Sequence, residues 1–357
     1  MNLDKIQEIK KLDTAFVSES IEALPRQIKQ VLKEADRIKI PAAYKKINKV
    51  VVSGMGGSNL GARIIEAVFS DQIKVPVIIL SDYTVPAMVD KNTLYILSSY
   101  SGNTEETLST YFEVKKRKAK IIAITAHHEK NSLQKLMAKD KIPGYVFKHD
   151  HNPSDQPRLG LGYSIFGMIS LMSKAGVFKL SKKEVEQVIA KLEQWNKALN
   201  TDSKLIKNIA KKIATKLKGK EPVLVGAEFL HGNLHALRNQ FSETSKNFAS
   251  FLILPDLNHF AMEGLAHPVS NKKDFVFLFF DSALYHPRIQ KRAHLTKQVV
   301  KKNMIQVLDY QLKGLTKLEQ SFEVLQLGTW ITYYLGLLNE IKPGQVPFVD
   351  WFKAQLG

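Results

Sequence analysis

Cysteine is absent from the 357 residues. That excludes disulfide frameworks, thiolate zinc sites, iron–sulfur clusters and a cysteine nucleophile. It fits a reducing compartment, and a cytoplasmic location is expected. No run of about 18 apolar residues occurs, so no membrane-spanning helix is expected. The opening MNLDKIQEIKKLDTAF is charged and amphipathic without an apolar h-region, and does not read as a signal peptide. Acidic residues are outnumbered: Lys+Arg 52 less Asp+Glu 34 leaves +18. The excess is mostly lysine scattered along the chain. It reads as a diffuse basic surface that attracts anions, with no nucleic-acid face and no membrane partner. With 44% hydrophobic residues the chain can bury full cores, and its length fits two domains.

Residues 1–47 show apolar spacing of helical period and read as a leading segment on the first domain. Short β-branched runs then alternate with helical stretches. Strands are expected at 49–53, 75–80, 94–98 and 120–125, with helices at 61–69, 104–117 and 131–139. Continuous apolar strands separated by helices predict a parallel sheet covered on both faces. Pro143, Pro153 and Pro157 cluster near Gly160 and mark a junction, giving domains 1–155 and 156–357. Connecting helices are expected at 159–174 and 182–199. A second alternation follows, with strands at 222–226, 251–254, 275–280 and 305–308. A long apolar-faced helix at 318–341, partly interfacial, and a short one at 347–356 end the chain. VVVSGMGGSNLGARI and PVLVGAEFLHGNLHAL share one strand–turn–helix plan, a weak internal repeat. The fold class is α/β, with two similar flavodoxin-like domains.

Ligands of open α/β sheets bind beyond the carboxyl ends of the strands. After the first strand stands Gly54-Met55-Gly56-Gly57-Ser58-Asn59. Small residues there let backbone N–H groups approach an anion while the next helix points its positive end at it. Asn59 stands where a dinucleotide fingerprint needs its third glycine, and no P-loop lysine follows. After the third strand, Ser99, Ser101 and Thr104 supply more hydroxyls than a helix cap requires, although Asn103 and Glu106 have capping-box spacing. Gly56, Gly57, Ser58, Ser99, Ser101 and Thr104 are therefore the candidate phosphate ligands of a phosphosugar pocket.

These two turns resemble the sugar isomerase (SIS) domain, and two such domains in tandem resemble the phosphoglucose isomerase group. Gln156-Pro157-Arg158 through Gly162-Tyr163, Asn239-Gln240-Phe241-Ser242-Glu243-Thr244-Ser245-Lys246, Leu257-Asn258-His259 and the late Lys353 are similar to ordered segments of the bifunctional phosphoglucose/phosphomannose isomerases. The resemblance implies interconversion of glucose 6-phosphate, and of mannose 6-phosphate, with fructose 6-phosphate. It makes Glu243 the base that moves the proton between C1 and C2. By the same resemblance His259, from either this chain or a partner subunit, assists ring opening, Lys353 acts at the ring oxygen, and Arg158 stabilises the enediolate. It implies a homodimer and no cofactor. Ser242 stands where relatives keep Asn, and Gln345 lies where acceptors of mannose 6-phosphate place Thr nearby, which leaves the second substrate open.

On the residues alone, a non-catalytic phosphosugar sensor or an isomerase of another sugar phosphate would share the turns. Sensors of this type usually carry a helix-turn-helix domain, for which the leading 47 residues are too short. His127 and His128, with His149 and His151 in KHDHN, could chelate a metal, but no further ligand has a defined spacing and the chemistry needs none; no metal site is assigned.

Overall fold

The computed structural model describes residues 1–356. They divide into two compact units, Ala23–Ala190 and Met1–Glu22 together with the chain from Lys191 onward. Among the described residues no helix is long and apolar enough to cross a membrane.

The Ala23–Ala190 unit holds β1 (Lys49–Ser53), β2 (Val77–Leu80), β3 (Thr93–Ser98), β4 (Lys120–Ala126) and β5 (Gly144–Phe147). All pair in parallel, in the order β2-β1-β3-β4-β5. β3 is buried along its whole length, as its uninterrupted apolar run requires. Val51, Tyr95, Leu97, Tyr111, Val114 and Leu133 form a core under helices Glu105–Lys116 and Ser132–Asp140. β5 is a strand that the sequence reading treated as part of the junction. Pro143 stands just before it, and an edge position tolerates a proline at the strand start.

The expected boundary at 155/156 does not match this division. Helix Leu161–Lys174 buries nearly all of its surface, and its glycines explain where. A Cβ on Gly167 would lie 2.5 Å from Ile124 and 2.8 Å from Tyr145, on β4 and β5. A Cβ on Gly61 would lie 3.3 Å from the backbone of Ile165. The helix is thus sealed onto the first sheet, and the chain leaves this unit only within helix Lys182–Leu199.

The other unit holds β6 (Glu221–Ala227), β7 (Ser250–Leu254), β8 (Phe275–Asp281) and β9 (Gln306–Gln311), parallel and in the order β7-β6-β8-β9. Helix Lys317–Leu338 is buried from Leu318 to Leu338 against helices Ile209–Leu217 and His231–Gln240. It is the core helix of its unit, which corrects the expectation of a partly interfacial one. The leading segment also departs from expectation, since Met1–Glu22 belongs here. The fully buried Lys211 donates its Nζ to Leu3 O at 2.7 Å and Thr201 O at 3.0 Å and pairs with Asp4 at 3.2 Å. Tyr333 OH donates to Asp13 at 2.9 Å. A buried ammonium must keep such partners, so it ties the first residues down.

Trp330 is fully buried, stacks on Tyr334 with centroids 5.4 Å apart and donates Nε1 to Asn196 Oδ1 at 3.3 Å. Trp330→Ala is expected to destabilise this unit by about 3–5 kcal/mol, read as a lower urea midpoint in its unfolding.

Candidate functional site

β1 and β3 are neighbours in register, Ser53 beside Leu97, and their chains leave to helices Gly57–Val68 and Glu105–Lys116. They flank the point where the strand order reverses, the crevice position of doubly wound sheets. Gly54 allows the two exits to approach, because a Cβ there would lie 2.9 Å from Ser98 O. Gly56 takes φ 49° and caps the first helix, a conformation that favours glycine. Both helices begin here, so the positive ends of their dipoles lie at these turns, and in the first turn Ser58 N and Asn59 N donate to Met55 O at 3.0 Å and Gly56 O at 3.3 Å.

The six expected phosphate residues do come together at these two turns, but their hydroxyls differ in role. Ser58 Oγ accepts from Tyr100 N at 3.0 Å, and Ser98 Oγ donates to Ser58 O at 2.6 Å, so the turns are tied to each other. Ser99 is fully buried; its Oγ accepts from Gly102 N at 3.0 Å and shares a hydrogen bond with Thr104 Oγ1 at 2.7 Å. Ser101 is exposed, and its Oγ accepts from Asn103 N at 3.3 Å. Thr104 is the N-cap residue of the second helix. Asn103 does not form the capping box that its spacing allowed. Its amide donates to Lys130 O at 2.7 Å and accepts from Ser132 N at 3.0 Å, bracing the next loop.

Arg158 adjoins the first turn: a Cβ on Gly57 would lie 3.4–3.5 Å from the Pro157–Arg158 backbone. The side chain is 2% exposed and donates to Gln156 Oε1 at 2.7 Å. Composition alone favours a surface cation, yet this one is desolvated, where a fixed charge acts most strongly. Beside it, Tyr100 OH accepts from Asn152 Nδ2 at 2.9 Å, and burial holds that phenol far above its usual pKa.

In the other unit, Glu243 lies in a π-helical turn, Phe241–Ser245, that continues helix His231–Gln240. Such turns recur at functional sites because they re-aim one side chain. Lys246 closes it at φ 50° and donates its Nζ to Glu243 O at 2.7 Å. Gly336 seats the turn on the core helix, since a Cβ there would lie 2.8 Å from Thr244 O. Glu243 is half-buried. His259 is exposed at the end of a 3₁₀ turn, Asp256–His259, after β7. Its neighbour Asn258 is fixed by Thr296 Oγ1 at 2.8 Å and Arg292 Nη1 at 3.2 Å. Lys353 is exposed on helix Pro347–Leu356, which has no buried residue. Thus Glu243, His259 and Lys353 occupy three separate elements. Tyr100 and Asn152 tie the loop before Arg158 to the serine turn, Asn152 donating also to Gln156 O at 3.0 Å.

Two parallel sheets of like order, with a glycine–serine crevice at a strand reversal, define a tandem SIS-type α/β protein. Residues 43–137 match the family model of the SIS domain, and residues 206–356 that of the bacterial phospho-glucose isomerase C-terminal SIS domain. The bifunctional phosphoglucose/phosphomannose isomerase of Caldicellulosiruptor bescii is 32% identical over 95% of this chain and 98% of its own. That of Thermoplasma volcanium is 29% identical over 92% and 98%. The chain belongs to the bifunctional phosphoglucose/phosphomannose isomerase family. A hypothetical protein of Thermus thermophilus superposes with a TM-score of 0.77 at 17% identity, covering 98% of this chain and 93% of that one. Glucosamine-6-phosphate deaminase of Thermotoga maritima gives 0.63 at 16%, covering 96% and 97%. At such identities the likeness is one of fold.

The two serines make a discriminating pair. Ser99→Ala removes the hydroxyl that bonds Thr104 Oγ1 and Gly102 N, leaving Gly102 N only Ser99 O at 3.3 Å, and is expected to cost about 0.5–1.5 kcal/mol of stability. Ser101→Ala is expected to leave the melting temperature unchanged and to weaken inorganic phosphate binding, both read by thermal shift with and without phosphate.

Proposed function

We propose that the protein is an aldose–ketose isomerase acting on glucose 6-phosphate and fructose 6-phosphate, with mannose 6-phosphate as a further substrate. The observation that carries this is Glu243, a carboxylate held half-buried in a turn that the buried core helix keeps rigid. The phosphate occupies the β1 and β3 turns, where dipoles and N–H groups favour an anion. His259 and Lys353 open the sugar ring. The Glu243 carboxylate then takes the proton from C2 of the open aldose, and the C1 carbonyl becomes an enediolate oxygen. Arg158 holds that negative charge with a preorganised cation. Return of the proton to C1, with the proton of the C2 hydroxyl passing to the C1 oxygen, gives the ketose. Atoms and electrons balance within substrate and carboxyl group, and no cofactor is assigned.

Glu243→Gln keeps the shape of the side chain and removes its basicity. In a coupled assay of fructose 6-phosphate conversion, kcat is expected to fall by about 10²–10⁴ with little change in KM. A loss below about tenfold removes Glu243 as the base.

The proposal includes a cytoplasmic homodimer. Two features support the dimer. His259 is exposed, as a residue serving a partner subunit's substrate would be. On the last helix Phe348, Trp351 and Phe352 are 86%, 63% and 56% exposed. An apolar row of this kind is what a second copy would cover. Light scattering is expected to give twice the chain mass, and Trp351→Glu to shift it toward the monomer. A wild-type monomer would refute this part.

A further inference from the structure

Beside the β3 turn lies a group of side chains that the isomerase reading leaves unused. One donor atom each from His128, His149 and Asp155 lies within 4.8 Å of the other two. The two imidazoles have centroids 4.9 Å apart, and Tyr100 packs against both, at 6.2 and 6.1 Å. His149 Nε2 already faces Asp155 Oδ1 at 3.5 Å.

The three residues come from two segments, His128 after β4 and His149 with Asp155 on the loop after β5, and backbone hydrogen bonds hold both segments. His128 follows β4, where Ala126 N donates to Tyr100 O at 3.1 Å and His127 N to Phe147 O at 2.7 Å. His149 follows β5 and accepts from Asn152 N at 2.9 Å through its own carbonyl. Asp155 N donates to Asn152 O at 2.9 Å. Asn152 is itself locked, its amide donating to Tyr100 OH and to Gln156 O at 2.9 and 3.0 Å. Asp155 adopts φ 51°, a left-handed conformation that costs a non-glycine residue energy and persists where surroundings enforce it. The backbone therefore presents three metal-ligating side chains before any ion arrives.

We infer that His128, His149 and Asp155 form a binding site for a divalent transition metal of the Zn²⁺ class. Two imidazoles and one carboxylate suit Zn²⁺, Co²⁺ or Ni²⁺ and disfavour Mg²⁺, which prefers an all-oxygen shell. Zn–N bonds of about 2.0–2.1 Å put tetrahedral ligands roughly 3.3 Å apart, so side-chain rotations closing the group by about 1.5 Å suffice, with water as fourth ligand. In sequence, His127, His128, His149 and His151 have no further ligand at a defined spacing. The fold supplies it as Asp155, and it selects one histidine from each pair. A bound ion would clamp the loop that leads into Arg158 onto the ends of β4 and β5. The inference stands independently of the isomerase reading, because it concerns binding alone.

The test uses the full-length protein without an affinity tag, stripped with chelator and dialysed against micromolar Zn²⁺. One Zn²⁺ per chain is expected, and none when Mg²⁺ replaces it. His128→Ala and His149→Ala are each expected to drop the stoichiometry below one tenth, while His127→Ala and His151→Ala keep it. Asp155→Asn, at an exposed side chain that leaves the fold intact, is expected to weaken affinity at least tenfold. Co²⁺ is expected to give d–d absorption in wild type that Asp155→Asn alters. Failure of wild type to bind Zn²⁺ overturns the inference. So does equal retention in all the variants, which would mean scattered surface histidines, and so does loss caused by His127→Ala or His151→Ala instead.

Discussion

The close approach of the β1 and β3 exits governs the carboxyl end of the first sheet. Parallel neighbours must release their chains on the same side of the sheet, and the reversal of strand order sends the two following helices apart. The gap can serve a ligand only if the turns beneath it are thin and mutually tied. Gly54 supplies the thinness, and the Ser98–Ser58–Tyr100 hydrogen bonds supply the tie. A larger residue at Gly54 would press on Ser98 O and spread both helix ends, weakening every donor at once. Buried Ser99 then holds the second turn from inside, while Ser101 is exposed.

The other unit repeats the strand order and uses its reversal differently. At the exit of β6 stand Ala227 and Glu228, followed by buried Phe229 and Leu230. Ala227 N donates to Tyr285 OH at 3.1 Å and His286 N to Glu228 Oε1 at 2.9 Å. Here side chains take up N–H groups at the strand exits, and the rings of Phe229 and Tyr285 pack together, centroids 5.4 Å apart. The weak repeat between VVVSGMGG and PVLVGAEF is thus real at the level of strand, turn and helix, while the chemistry of the turn has been exchanged. What this unit contributes instead is Glu243, one helix further along.

Much of the fold was legible because buried parallel strands need continuous apolar runs, as β1, β3, β4, β6 and β8 show, whereas the edge strand β9, QVLDYQ, buries only Leu308. β5 was not legible: its GYVF is short, lies at the sheet edge and follows a proline. The unit boundary was misplaced for a related reason. Prolines mark where regular structure stops, and they carry no information on which sheet the next helix covers; Gly61 and Gly167, which decide that, look like any helical glycines. Asn103 shows the same limit, since capping spacing is local and its actual partners, Lys130 and Ser132, belong to another loop. The two turns were legible as strand exits because glycine and hydroxyl residues after a strand have a physical use there, and the fold does bring them together. Glu243, His259, Lys353 and Arg158 were legible only through resemblance.

The reason lies in what makes a side chain reactive. A carboxylate becomes a directed base through burial, orientation and rigidity, none of which belongs to the residue or its neighbours in sequence. The proposed base, Glu243, owes its setting to Gly336, almost a hundred residues later, whose missing Cβ lets the π turn settle against a helix with no exposed face. Arg158 owes its own to Gly57, about a hundred residues earlier, whose turn lies against its backbone and helps exclude water from a cation that composition would leave on the surface. In both cases a glycine with no chemistry of its own lets backbone come close, and the charged group gains its setting from that contact.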